Sequence, residues 1–122
     1  MAENDGAMYV GYDSDRMKAL KNSFPQLETW NYFEAGPGHP RTKCYDPLIE
    51  RLGKGDITTL FVNEDCDWRD ICLGTPRTVK RFVLESDEDD MEIDRLKSEF
   101  KTLEVVPIGK MEDFLRDFYS QH

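Results

Sequence analysis

Short apolar runs without helical period alternate along this chain with segments whose apolar residues recur every three or four positions. Residues 57–62, Ile-Thr-Thr-Leu-Phe-Val, form the clearest run. It is β-branched and aromatic, contains no proline, and reads as a strand buried on both faces. Residues 7–12, 27–33, 79–84 and 103–108 predict four further strands. Between them, Met17, Leu20 and Phe24 mark one helical face that ends at Pro25. Asp46-Pro47 opens a short helix with Leu48, Ile49 and Leu52 inward. Residues 68–73 predict a helical turn. Ile93, Leu96 and Phe100 mark a helix opened by four acids in 86–90, which suit the positive end of its dipole. The last helix opens at Lys110 or Met111 and turns Phe114, Leu115 and Phe118 to the core.

Strands alternating with helices predict an α/β fold: a single three-layer, flavodoxin-like domain, with a mostly parallel five-stranded sheet and helices on both faces. Residues 1–6 read as a flexible N-terminus and 7–122 as the domain. A chain of 122 residues suits one domain with a core of its own. Residues 34–44 are the least regular segment. Two glycines and two prolines there exclude helix and strand interiors.

A net charge of −9 and a pI near 4.7 argue against direct nucleic-acid binding and against an anionic membrane surface. They leave a basic partner, a metal ion or a cationic ligand. The three cysteines, Cys44, Cys66 and Cys72, are odd in number and include no C-x-x-C, which favours free thiols and a cytoplasmic setting. No apolar run nears the roughly 18 residues of a membrane span, and the opening residues show no signal-peptide pattern.

Candidate chemistry gathers at strand ends, since ligands of open parallel sheets bind beyond the carboxyl ends of the strands. Asp13 and Asp15 follow the first strand; Glu64, Asp65 and Asp67 follow the central one. Asp13, Asp65 and Asp67 are the metal candidates, with Mg²⁺ the candidate cofactor, because convergent carboxylates repel one another until a hard cation joins them. The bland alternative is helix caps and solvated loops. In 34–44, Gly36 and Gly38 free backbone N–H groups, and His39, Arg41 and Lys43 add positive charge suited to a phosphate or carboxylate. A flexible surface loop explains the same residues. Trp68 is a candidate for stacking on a ligand ring, or else an anchor for its helix. Cys66, among acids, is a poor nucleophile, and the acids from 85 to 94 read as a solvated helix start.

The chain carries two family resemblances. Through Tyr9-Val10-Gly11-Tyr12-Asp13-x-Asp15, then Trp30-Asn31-Tyr32-Phe33-Glu34, the 46–52 helix and the 57–62 strand, the first 70 residues of the chain resemble small prokaryotic TIR-like domains. That family includes enzymes that cleave NAD with a glutamate on the helix after the third strand. Residues 68–73 contain no glutamate, so the resemblance implies the fold rather than that reaction. The five-fold alternation, the Asp13/Asp15 pair and Val106-Pro107-Ile108 resemble response-regulator receiver domains. Asn63 stands where the phosphoacceptor aspartate is expected and Val106 where the lysine is, which implies a relative not phosphorylated in the usual way. No Ser/His/Asp arrangement or metal motif is visible. The expectation is therefore a non-catalytic regulatory or protein-interaction module that binds a partner or small ligand at the carboxyl edge of the sheet. The alternative is a nucleotide- or nucleoside-processing, TIR-like enzyme with an acidic, Mg²⁺-binding pocket.

Overall fold

The computed structural model describes residues 6–35, 41–43, 45–87, 94, 95, 98 and 103–120. Its centre is a five-stranded, wholly parallel sheet formed by β1 (Gly6–Gly11), β2 (Glu28–Asn31), β5 (Ile57–Asn63), β6 (Arg81–Glu85) and β7 (Leu103–Val106). The spatial order is β2-β1-β5-β6-β7. This is the doubly wound order of flavodoxin-like sheets, whose topological switch point lies between β1 and the strand beside it, here β5.

Alternation along the strands sorts side chains into two cores. Met8, Val10, Leu60, Val62, Phe82 and Leu84 face one layer, which α2 (Tyr45–Leu52) and α3 (Trp68–Gly74) cover through Leu48, Leu52, Trp68 and Ile71. Ala7, Tyr9, Phe61 and Val83 face the other. There, Met17 and Leu20 of α1 (Ser14–Ser23) and Met111, Leu115 and Phe118 of the C-terminal helix (Met111–Ser120) complete the packing. Phe61 is the hub of this second core, edge-on to Phe114 and Phe118 with ring centroids 5.9 and 5.8 Å away. No helix among the described residues is long and apolar enough to cross a membrane.

The elements differ from the sequence expectation chiefly in two places. The expected second strand breaks at Tyr32, and a small antiparallel pair succeeds it, β3 (Phe33–Ala35) with β4 (Arg41–Lys43). Residues 33–35 and 41–43 are thus strand, although the composition of 34–44 excludes strand interiors by sequence alone. The first strand begins at Gly6, where a side chain would meet the Asp56 carbonyl at 2.4 Å. The expected helix face of Ile93, Leu96 and Phe100 lies outside the described residues, although Asp94, Arg95 and Ser98 are helical.

Two measurements test this packing. Phe61→Ala removes the hub ring and is expected to cost about 3–5 kcal/mol in urea unfolding; a loss below about 1 kcal/mol contradicts the arrangement. Cys72 is buried against α2 and the sheet, and burial pushes its thiol up to about 11 from 9.0. The folded state therefore resists losing that proton: the thiol's contribution is intact below about pH 9 and is lost as pH rises through about 11. Cys72→Ala should flatten the decline of Tm across that interval, and an unchanged slope contradicts the assignment.

Candidate functional site

At the switch point the central feature is Glu85, the last residue of β6, which is fully buried. Its parity follows Val83, so it points toward the α1 layer rather than into solvent. Parallel register sets Asn63 of β5 directly beside it and aligns Tyr9 of β1 with Phe61. Three neighbours donate to one oxygen, Oε1: Tyr9 Oη at 2.6 Å, Asn63 Nδ2 at 2.7 Å and Arg16 Nη1 at 2.6 Å. Arg16 Nη2 donates to Oε2, which completes a two-pronged guanidinium–carboxylate pair. A buried carboxylate is strongly disfavoured unless it is paired and hydrogen-bonded in this way.

Local sequence explains how each partner arrives. Asp13 is the N-cap of α1, its Oδ1 accepting from the backbone N–H groups of Asp15 and Arg16 at 3.1 and 3.2 Å. The cap fixes Arg16 in the first helical turn, over the sheet edge. Gly11 lets the Tyr9 ring run up past it, since a side chain there would stand 2.7 Å from Tyr9 Cε1. Burial first, then the adjoining Glu85 carboxylate, holds the Tyr9 phenol well above the usual tyrosine value, so Tyr9 serves as a donor and not a base. Burial works against the Arg16 charge, but its hydrogen bonds to Glu85 and the surrounding negative charges outweigh that and raise its pKa. Arg16 Nη2 also reaches the Ile108 carbonyl at 3.3 Å, and the Ile108 N–H donates to Asp87 Oδ1 at 2.9 Å.

Above the network opens a cleft of about 220 Å³, lined by Tyr9, Tyr12, Asp13, Arg16, Asn63, Asp65 and Ile108. Asn63 Oδ1 accepts the Asp65 N–H at 3.0 Å, and exposed Tyr12 donates to Asp65 Oδ2 at 3.1 Å. This phenol is held above its ordinary value by the hydrogen bond to Asp65.

Of the residues expected from sequence, the structure brings Asp13 and Asp65 to this one cleft. Asp67 lines a different cavity, bonded to the Tyr32 phenol, and among the described residues no group of three or more acids, histidines or cysteines has a metal-holding arrangement. Asp15 is exposed on the first turn of α1 and does not line the cleft. Trp68 is only 5 % exposed and packs in the core as an anchor, with the Arg69 guanidinium 4.9 Å from its ring centroid. Cys66 is buried in the same core. Gly36, Gly38 and His39 lie outside the described residues, and Arg41 and Lys43 are described only as the ends of β4.

Glu85 corrects the reading of 85–94 as a solvated helix start. It belongs to the strand, one step beyond Leu84, on the inward parity. Period-two continuation from Val83 was the signal; the acidic residues beyond it masked that signal. Tyr9 entered only as part of the TIR-like pattern, with no role assigned, and Arg16 carried no motif at all.

The fold and site thus define a doubly wound α/β domain whose switch-point crevice is closed from below by an internal ion pair. A scan against protein-family models and searches of curated proteins and of solved structures found no match.

Tyr9→Phe keeps the ring and deletes one donor to a buried charge, so it should cost about 1.5–3 kcal/mol in urea unfolding. Gly11→Ala should cost about 1–3 kcal/mol by displacing that ring. If both variants stay within about 0.5 kcal/mol of the parent, the network does not hold the sheet edge.

Proposed function

We propose that this chain is a non-catalytic regulatory or protein-interaction module that engages a partner or small ligand at the carboxyl edge of its sheet. The observation that carries this reading is the engagement of Glu85, Arg16, Tyr9 and Asn63 with one another at the switch point. A general base or nucleophile must reach the reacting atom. Glu85 has no exposed surface, and Tyr9 is held protonated. Exposed acids rim the same edge, Asp13, Asp15, Asp65 and Asp87 among them, so a basic partner surface complements it. The odd number of cysteines, with no C-x-x-C among them, supports a cytoplasmic setting. Asn63, hydrogen-bonded through both ends of its amide, offers no carboxylate for phosphotransfer.

One observation favours a second reading, a nucleotide- or nucleoside-processing enzyme: Asp13 and Asp65 share a cleft with a guanidinium and two phenols. On that reading Mg²⁺ would be held by one or two carboxylates together with phosphate oxygens.

A thermal-shift panel of Mg²⁺, Mn²⁺, NAD, ADP-ribose, nucleotides and nucleosides separates the two. A ligand at 100 times its Kd adds about 2.7 kcal/mol to the folded state. The module reading expects a flat panel, with Asp65→Asn indistinguishable from the parent. A clear shift that Asp65→Asn abolishes, with the shifting ligand converted to product by the parent, would overturn it in favour of the enzyme.

A further inference from the structure

A second cavity, of about 410 Å³, lies at the carboxyl edge on the α2–α3 side of the sheet, lined by Tyr32, Tyr45, Asp67, Asp70, Leu73 and Gly74. Tyr32 follows β2 and Asp67 follows β5, so the cavity and the Glu85 cleft flank β1 from opposite layers. Its walls have three parts. The half-buried Tyr45 ring forms one, held by a hydrogen bond from its hydroxyl to the Asp70 carbonyl at 3.2 Å, with the buried Tyr32 behind it. Two carboxylates form the second. Asp67 stands in the left-handed region, φ 48°, and its side chain makes no cap bond to α3; it bonds instead to the Tyr32 phenol. Leu73 forms the third, 61 % exposed at the rim. Gly74 lets Tyr45 pack closely: a side chain there would come within 2.2 Å of the Tyr45 hydroxyl.

No basic side chain is among the described residues of the lining. Arg69, next in sequence to Trp68, lies over that ring. One aromatic face, two carboxylates and an exposed aliphatic rim together select one kind of group. An inorganic cation has no use for the ring or the leucine, and an anion is repelled. A planar guanidinium is weakly hydrated, stacks on aromatic faces and pairs with carboxylates through two N–H groups, while its methylene stem lies along apolar surface. We infer that this cavity receives an arginine side chain of a basic partner protein. The inference deepens the partner-binding reading and rests on it for the source of the arginine. The chain's charge of −9 gives the long-range attraction that such a partner would feel.

The test is an amide-detected NMR titration of the full chain with Nα-acetyl-arginine methylamide, the matching lysine compound and the matching leucine compound. The expected result is saturable shifts centred on Tyr45 and residues 70–74, strongest for arginine, weaker for lysine and absent for leucine. Asp70→Asn, an exposed and foldable change, should weaken the arginine compound about two- to fivefold. Asp113→Asn removes the same charge from the opposite helical layer and should leave affinity unchanged. Equal weakening by both variants means diffuse attraction and overturns the pocket, as does a response centred on Tyr12 and Asp65. No saturable binding of the arginine compound, with a flat nucleotide panel, overturns the pocket alone and leaves the module reading standing. Turnover of a nucleotide bound at the Glu85 cleft overturns the module reading itself.

Discussion

A carboxylate sealed inside a parallel sheet must be matched by donors from every side, and the Glu85 carboxylate is matched by donors from β1, α1 and β5 at once. An unmatched ion in such a place costs several kcal/mol. The three elements are therefore locked in relative position as tightly as hydrogen-bond geometry allows. Gly11 has to be small so that Tyr9 can arrive, and Asp13 has to cap α1 so that Arg16 stands in its first turn. Asn63 has to present its amide with the nitrogen toward Glu85 and the oxygen toward the Asp65 N–H. The turn that carries Asp65 is thereby tied to the same point, and Tyr12 closes over it.

The two helical layers divide the work. On the α2–α3 side the core is uniformly apolar up to the carboxyl edge, where Tyr32, Tyr45 and the start of α3 leave an open cavity. On the α1 side the apolar core, centred on Phe61, ends below the ion pair. Both features follow from strand parity. The same alternation that sends Val83 and Phe61 to one face sends Glu85 and Asn63 there two residues later. At the far edge Arg51 joins Glu28 and Asp56 at 2.6 and 2.7 Å, an exposed tie that fastens α2 to the sheet and belongs to the class of surface pairs worth about 1 kcal/mol or less.

The fold was legible because its signals are strong where the physics is simple. An unbroken run such as residues 57–62 has no stable place except between two layers, and a strand–helix alternation leaves few topologies. Smaller features were less legible. The β3–β4 pair has three residues in each strand, and propensity is overruled at that length by what the flanking chain permits. The site was read only in part. Asp13 and Asp65 meet in one cleft, as the strand-end rule expects, but Asp67 turns away because its left-handed backbone directs it to Tyr32. Glu85 was hidden among neighbouring acids: sequence charge marks a residue as exposed by default, and only the placement of Tyr9, Arg16 and Asn63 in space reverses that default. Trp68 could stack on a ligand or anchor a helix by sequence alone, and burial decides for the anchor.

The most direct measurement is a double-mutant cycle on the ion pair, using urea unfolding of Arg16→Met, Glu85→Gln and the combination. Arg16→Met leaves the buried carboxylate without its cation and should cost about 3–5 kcal/mol. Neutralising Glu85 as well should recover much of that loss, giving a coupling well above the roughly 0.5 kcal/mol scatter of independent sites. Additive effects would mean that the pair does not organise the sheet edge, and would contradict the account.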